Sequence, residues 1–297
     1  MSESVDIAQL RNWVGRQEHS SDIITPELVK RFKATLEGYT SMAGAQDSAL
    51  PHGLHWCLAP PAVANGDLGA DGHPARGGFL PPVPLPRRMW ASSVIRFHRP
   101  LPVASTIERT STIADVTLKQ SRTAGPLVFV QIDHRYTHSD MTLIEDRQTI
   151  VYRSEQAPAG KAVHKPEHPV SNPVTLRRLT PNSTLLFRYS ALTFNGHKIH
   201  YDHRYSVVEE GYPGLVVQGP LTATLLMNLA QGEHPQRTLR EFAFRAVAPA
   251  FVDEEMQLSI QPGARPLTGE DAADTSLLLE ARNQRGILLT TANASFA

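Results

Sequence analysis

The second half of this chain repeats the first. From Ser93 to Ile107 the sequence reads S-V-I-R-F-H-R-P-L-P-V-A-S-T-I, and from Phe242 to Met256 it reads F-A-F-R-A-V-A-P-A-F-V-D-E-E-M. Arg96 and Arg245, Pro100 and Pro249, and Val103 and Val252 match at an offset of 149. Upstream, Thr25, Pro26 and Phe32 match Thr180, Pro181 and Phe187 at an offset of 155. Two windows in the same order, whose offsets differ only by a six-residue indel, argue for duplication of one unit. The 297 residues leave room for two domains of ordinary size.

Each copy reads alike. Thr25–Pro26 and Thr180–Pro181 predict an N-cap with proline in the first turn, followed by a short helix. Alternating apolar and polar runs predict antiparallel strands at Ser93–Phe97, Thr106–Lys119, Leu127–Tyr136 and Gln148–Arg153 in the first copy. In the second copy the strands fall at Glu241–Arg245, Glu255–Gln261, Thr275–Arg282 and Ile287–Ala292. Pro100 and Pro249 belong at strand edges or bends, where no ladder hydrogen bond is lost. One helix wrapped by a curved antiparallel sheet, made twice, is an α+β architecture. The halves divide as residues 1–155 and 174–297, with a linker at 156–173 rich in Pro, Lys, His and Ala.

The copies are not equivalent. Leu215–Ala230 is a long apolar stretch with small residues, suited to a buried central helix opening at Gly219 and Pro220. Its counterpart in the first half is His52–Leu58, cut short by Pro60 and Pro61. A Gly/Pro-rich segment then runs to about Arg88, and a loop of that length in a compact domain is usually functional or disordered.

Bulk properties narrow the partners. Lys+Arg and Asp+Glu both number 29, so no global field attracts nucleic acid or anionic lipid. Cys57 is the single cysteine, which rules out an intrachain disulfide and fits a reducing compartment. The N-terminus carries two acids and no basic or apolar run, so neither a signal nor a transit peptide is read there. No apolar stretch reaches the ~18–20 residues of a membrane span. The expectation is a cytoplasmic protein.

The stretch from Arg188 to Asp202, R-Y-S-A-L-T-F-N-G-H-K-I-H-Y-D, carries the chemistry. It sets Asn195 and His200 five residues apart across a polar turn, and Gly219 follows at the head of a helix. A base, a polar group to hold water and a helix N-terminus are what addition of water to an activated double bond requires. The segment resembles the active-site half of the MaoC-like hydratases and dehydratases, a family with the hot-dog fold that acts on acyl thioesters. With the P-P-V-P-L-P-R-R-M-W segment of the first half, it is most similar to the subgroup of mitochondrial-type 3-hydroxyacyl-thioester dehydratases and mesaconyl- and itaconyl-CoA hydratases. The fold implied is a tandem hot-dog. His200 takes the family's histidine position and Asp202 its following acid, whereas Asn195 stands where many members carry aspartate. Asparagine cannot exchange a proton as a carboxylic acid does; it can hold water or orient a partner.

The resemblance implies an acyl-CoA hydratase in which His200 is general base, Asn195 fixes water and Gly219 donates its N–H to the thioester oxyanion. Coenzyme A is part of the substrate; no metal and no other cofactor is expected. Mesaconyl- or itaconyl-CoA is the preferred substrate, and a 3-hydroxyacyl thioester of fatty acid metabolism, on CoA or carrier protein, the alternative. Tyr189, Thr193, Arg188 and Arg88 are the candidate substrate contacts, the two arginines for a substrate carboxylate or the CoA phosphates. His197, His200 and His203 raise the thought of zinc, but they surround a turn with no cysteine near. A hot-dog thioesterase and a non-catalytic acyl-CoA-binding module stay open as rival readings, as does a homodimer of whole chains.

Overall fold

The computed structural model describes residues 5–39, 50–122, 124–154, 175–262 and 276–297. The expected linker lies outside the described residues. The first half contributes β1 (Gln17–Ile23), β2 (Arg87–Phe97), β3 (Thr106–Ser121), β4 (Gly125–His138) and β5 (Met141–Arg153). The second contributes β6 (Thr175–Leu179), β7 (Leu239–Ala246), β8 (Met256–Pro262), β9 (Ser276–Asn283) and β10 (Leu288–Phe296). All ten join one sheet in the order β1-β3-β4-β5-β2-β7-β10-β9-β8-β6, antiparallel throughout.

The duplication is written into the register. In the central β2–β7 pair, Val94 lies opposite Ala243. Ala243 is the residue 149 positions after Val94, its own repeat counterpart. The pseudo-two-fold axis therefore passes through this pair, and strand order reads alike outward from it in both directions. Each of the eight strands expected from alternation is present; β8 and β9 are shifted by one residue and the other six are lengthened. Two were not anticipated: β1 and β6, the edges of the sheet. β1, Q-E-H-S-S-D-I, alternates only in exposure, with almost no apolar residue to betray it; polar edges of this kind also discourage pairing with other chains.

Among the described residues four α-helices accompany the sheet: α1 (Ile7–Arg11), α2 (Pro26–Leu36), α3 (Ser183–Leu192) and α4 (Gly219–Glu233). α2 starts as expected, with the Thr25 hydroxyl accepting from Leu28 N–H at 3.1 Å and Pro26 in the first turn. α3 departs from the pattern. Its cap is Asn182, which accepts from Leu185 N–H at 2.9 Å, so Thr180–Pro181 precedes the helix. Asparagine is at least as good a cap as threonine, and it sits two residues on.

α4 is the buried central helix, every residue from Leu221 to Ala230 being buried, and it packs on β7, β9, β10 and β2. In the first half, among the described residues, the same place holds a 3₁₀ turn, Leu54–Cys57. That turn is joined to α4. Asn228 accepts from His52 N–H at 3.1 Å and donates to His52 O at 2.9 Å. Gly53, at φ +93°, has no room for a side chain, since a Cβ would meet Thr224 Oγ1 at 2.4 Å. Pro100 and Pro249 fall just past β2 and β7, at bends.

Candidate active site

A cavity of about 940 Å³ runs between the halves, walled by the Gly/Pro-rich loop, the turn after α3, the start of α4 and the inner face of β3–β5. The turn after α3 forms because Thr193 caps the helix, its hydroxyl donating to Tyr189 O at 2.8 Å, and Phe194 turns the chain at φ +49°. Asn195 then closes an Asx turn: its Oδ1 accepts from His197 N–H at 3.0 Å. That leaves the Asn195 Nδ2 donors for the cavity, which Asn195 lines.

His200 ends the short 3₁₀ segment Lys198–His200 and is buried at the cavity wall. Its Nδ1 lies 2.7 Å from Val216 O. A carbonyl only accepts, so Nδ1 carries the proton and Nε2 keeps its lone pair. Burial lowers the imidazole to about 4, the bond to Val216 partly opposing it, so the ring is neutral at physiological pH. Asp202 serves as a cap, accepting from Tyr205 N–H at 2.9 Å.

Gly219 opens α4 on the cavity, preceded by Gln218, whose buried amide donates to Leu186 O at 2.8 Å and Ser190 Oγ at 2.9 Å and so ties α4 to α3. The first N–H groups of a helix have no intrahelical acceptor, and Pro220 has none to offer, so Gly219 N–H is a free donor at the cavity end of this turn. A Cβ at Gly219 would meet only Trp90 O, at 3.8 Å, an ordinary contact. Packing therefore does not demand glycine here; a ligand approaching the backbone would.

Of the expected substrate contacts, Thr193 and Arg88 line the cavity. Arg188 is exposed on α3 and Tyr189 is wholly buried, its hydroxyl 3.1 Å from Thr224 Oγ1; neither lines the cavity. His203 is exposed.

The loop supplies residues that sequence reading passed over. Gly72 and Gly196 pack backbone to backbone: a Cβ on Gly72 would fall 2.0 Å from Gly196 O, and one on Gly196 would fall 2.5 Å from Gly72 O. Lys198 N–H also donates to Asp71 O at 2.9 Å. This seam brings the D-G-H-P segment of the loop against the turn that carries Asn195 and His200. Asp71 Oδ2 lies 3.0 Å from His73 Nδ1, the His73 ring stacks on His197 with centroids 4.2 Å apart, and His197 meets His200 edge-on at 5.4 Å. Burial and the neighbouring His200 lower His197 to about 3. Asp71, His73 and His197 offer ligand atoms within 4.8 Å of one another, a set that fits a cation by donor type. Against that, Arg88 Nε stands 3.7 Å from the Asp71 carboxylate and already matches its charge. The loop is anchored at its far end by Arg87 Nε, 3.1 Å from Glu210 of the second half.

Residues 53–252 match the hydroxyacyl-thioester dehydratase type 2 family. The chain is 44% identical over 250 residues to the mesaconyl-C(4)-CoA hydratase of Chloroflexus aurantiacus, covering 84% of this chain and 88% of that protein. It is 29% identical over 267 residues to the mitochondrial hydroxyacyl-thioester dehydratase type 2 of Schizosaccharomyces pombe, covering 80% of this chain and 88% of that one. Among solved structures, a MaoC-like dehydratase is similar with a TM-score of 0.67 at 14% identity, over 96% of this chain and 98% of that one. A Mycobacterium tuberculosis protein described as a double hotdog fold is similar with a TM-score of 0.56 at 13% identity, over 96% of both chains. At such identities the structural likenesses establish the tandem hot-dog fold and nothing about chemistry.

Proposed function

The chain belongs to the hydroxyacyl-thioester dehydratase type 2 family of MaoC-like hot-dog proteins, and within it we propose that it is a hydratase adding water reversibly to an α,β-unsaturated acyl-CoA, with small branched dicarboxylic thioesters such as mesaconyl- or itaconyl-CoA as its substrates. The observation that carries this reading is the His200 Nδ1 contact with Val216 O, which leaves Nε2 as a base on a cavity that Gly219 also lines. Identity of 44% to a mesaconyl-C(4)-CoA hydratase supports the substrate.

The steps follow from the groups present. Asn195 Nδ2 holds a water by its oxygen. His200 Nε2 takes a proton from that water as its oxygen bonds to the β-carbon. The double-bond electrons move through the α-carbon onto the thioester oxygen, which accepts a hydrogen bond from Gly219 N–H and sits at the positive end of α4. The imidazolium of His200 then returns the proton to the α-carbon as the thioester carbonyl reforms. One histidine thus serves both protons on one face, so addition is syn. Neither a metal nor a redox cofactor takes part. Thr193 and Arg88 form the wall beside the acyl group.

Among the described residues no helix is long and apolar enough to cross a membrane. Because β2 and β7 already pair the two halves, one chain supplies every group named here; a homodimer would add a second site, not complete the first.

The test is incubation of purified protein with mesaconyl-, itaconyl-, crotonyl- and a long-chain enoyl-CoA, following product mass, with His200→Ala alongside. Gain of one water, reduced roughly a thousandfold in the variant, is expected. Release of free CoA would make the protein a thioesterase, and binding without turnover would make it a carrier module. Preference for the long chain would favour the fatty 3-hydroxyacyl reading.

A further inference from the structure

The register that relates the two half-sheets also pairs their inner faces, residue by residue. Asp146 of β5, His134 of β4 and Ser111 of β3 lie in one cross-strand row. Its counterpart in the second half is Ala292 of β10, Leu279 of β9 and Ile260 of β8, since Asp146 pairs with Ile95 and Ala292 with Phe244, which stand 149 residues apart. One row further on, Tyr136 and Arg109 correspond to Ala281 and Leu258. The second-half rows are dry core under α4. Among the described residues no such helix lies above the first-half rows, and all five of these residues line the cavity. The space a helix would fill is therefore a chamber with a polar floor.

That floor is ordered but not self-sufficient. Asp146 Oδ2 accepts from Trp56 Nε1 at 2.9 Å and lies 3.8 Å from His55 Nε2. Burial works against its charge, but the bonds and charges of His55, His134 and Trp56 outweigh it and hold the carboxyl below its usual range. His134 Nε2 lies 3.1 Å from Gln148 Oε1, so it donates there and its Nδ1 accepts from Ser111 Oγ at 2.8 Å. Three buried atoms here have no hydrogen-bond partner, Asp146 Oδ1, His55 Nε2 and Arg109 Nε, and Arg109 is the cation among them. Its side chain is 11% exposed, it is bonded to the Tyr136 hydroxyl, its carboxylate neighbour is Glu18 on the rim at 4.0 Å, its Nη1 reaches Leu58 O only at 3.4 Å, and its Nε has no acceptor. A buried cation this poorly matched is short of an anion. Asp146 makes no ion pair with Arg109; its Oδ2 is bonded to Trp56 and stands 3.8 Å from His55.

We infer that this chamber is a carboxylate subsite, which takes the end of the acyl group away from the thioester and sets Arg109 as its counter-charge, with the Tyr136 hydroxyl beside it. The inference rests on the hydratase reading and narrows it to ω-carboxylated acyl groups. A methyl-ended chain pressed onto this floor would keep water from Asp146 Oδ1 and Arg109 Nε, which have no protein partner, so the floor also selects against alkyl chains.

The test compares kcat/KM for carboxyl-ended and methyl-ended enoyl-CoAs, mesaconyl- and 2-hexenedioyl-CoA against crotonyl- and 2-hexenoyl-CoA, in wild type, Arg109→Met, Arg109→Lys and Arg88→Met. Arg109→Met should lower the carboxyl-ended values roughly ten- to a hundredfold, mainly through KM, and raise the methyl-ended ones. Arg109→Lys should recover part of the preference. Equal losses on both substrate classes would assign Arg109 to structure, and a preference that moves with Arg88 instead would place the carboxylate elsewhere; either overturns the inference. Calorimetric binding of adipoyl-CoA against hexanoyl-CoA reads the same preference without turnover. If wild type hydrates none of the four yet binds adipoyl-CoA more tightly in an Arg109-dependent way, the hydratase reading fails and the subsite stands. Equal affinity for the two would sink the subsite alone.

Discussion

The two half-sheets carry the same strands in the same order, yet one is covered by the fifteen-residue α4 and the other by a four-residue 3₁₀ turn. The covered half turns Ala292, Leu279 and Ile260 inward and is dry. The uncovered half turns Asp146, His134 and Ser111 inward and opens onto the cavity. The division of labour follows. The helix that remains supplies a positive N-terminus at Gly219 and a rigid base for the His200 turn. The helix that is missing supplies volume. The first half then sends its long loop back across the seam to wall the site it has no helix to build.

Exchanging one residue of the matched rows should break this comparison most sharply. Leu279→His puts an imidazole with no partner under α4, where Leu279 is 0% exposed, and should destabilise the protein by about 4 kcal/mol or more. The reciprocal His134→Leu, at a cavity face, should cost about 1 kcal/mol or less, because it removes two hydrogen bonds but also a partly buried polar ring. Denaturant titrations of both read the asymmetry directly; equal costs would mean the two faces are not the dry and wet versions of one surface.

The second break is at the seam. In Gly196→Val the new Cβ meets Gly72 O, a backbone atom that cannot swing aside, so the loop must lift off the catalytic turn. We expect kcat/KM to fall on the order of a hundredfold, with a much smaller drop in Tm because the loop lies outside the helix core. Gly219→Ala makes only the 3.8 Å contact with Trp90 O and should leave Tm unaltered while activity falls. Parallel losses of Tm and activity in both variants would contradict this split.

How much of this was legible in the sequence depends on which physical signal carried it. The eight inner strands, the Gly219 start of α4 and the His200 turn were readable because alternation, helix-opening chemistry and a local motif are short-range signals. β1 and β6 were not, since edge strands need no apolar face. The Gly72–Gly196 seam joins segments far apart in sequence, and nothing local to either marks it. The polar floor had a signal that alternation reading discards. Arg109 and Ser111 share the phase of Ile107 and Ile113, and His134 that of Val130 and Ile132, so these polar residues occupy inward positions of otherwise apolar rows. A polar residue in the inward phase of a strand is the mark of a lined cavity, and the sequence displayed it on two adjacent strands. The 3₁₀ turn at Leu54–Cys57 was anticipated as a shortened helix, but what its shortness leaves open was visible only in three dimensions.

Acid should act on the two halves together, through histidines that burial keeps neutral. His200 and His52 are lowered to about 4 and His197 to about 3, burial being the largest cause in each. In the unfolded chain these rings bind protons near pH 6.5. Between there and about 4 the unfolded state holds more protons than the folded one, so stability is complete above pH 6.5 and drains away as pH falls through that window. The acid limb of kcat/KM, read on fresh enzyme in short assays, should instead fall near pH 4, where His200 itself charges. An acid limb at 6.5 would mean that His200 is solvated, not buried, in the working enzyme.

The smallest effect separates the two duties of Asn195. Its Oδ1 holds the turn through His197 N–H, while its Nδ2 is the group assigned to water. Asn195→Ala removes both, so a loss of activity there would not tell positioning from folding of the turn. Asn195→Ser keeps an oxygen able to accept from His197 N–H but takes away the amide donors. Loss of one water-holding hydrogen bond in the transition state should lower kcat about tenfold with KM little changed and Tm within a few degrees, the signature of an interaction made where charge develops. If the serine variant keeps full kcat, water is placed by His200 and the cavity wall alone, and Asn195 belongs to the turn.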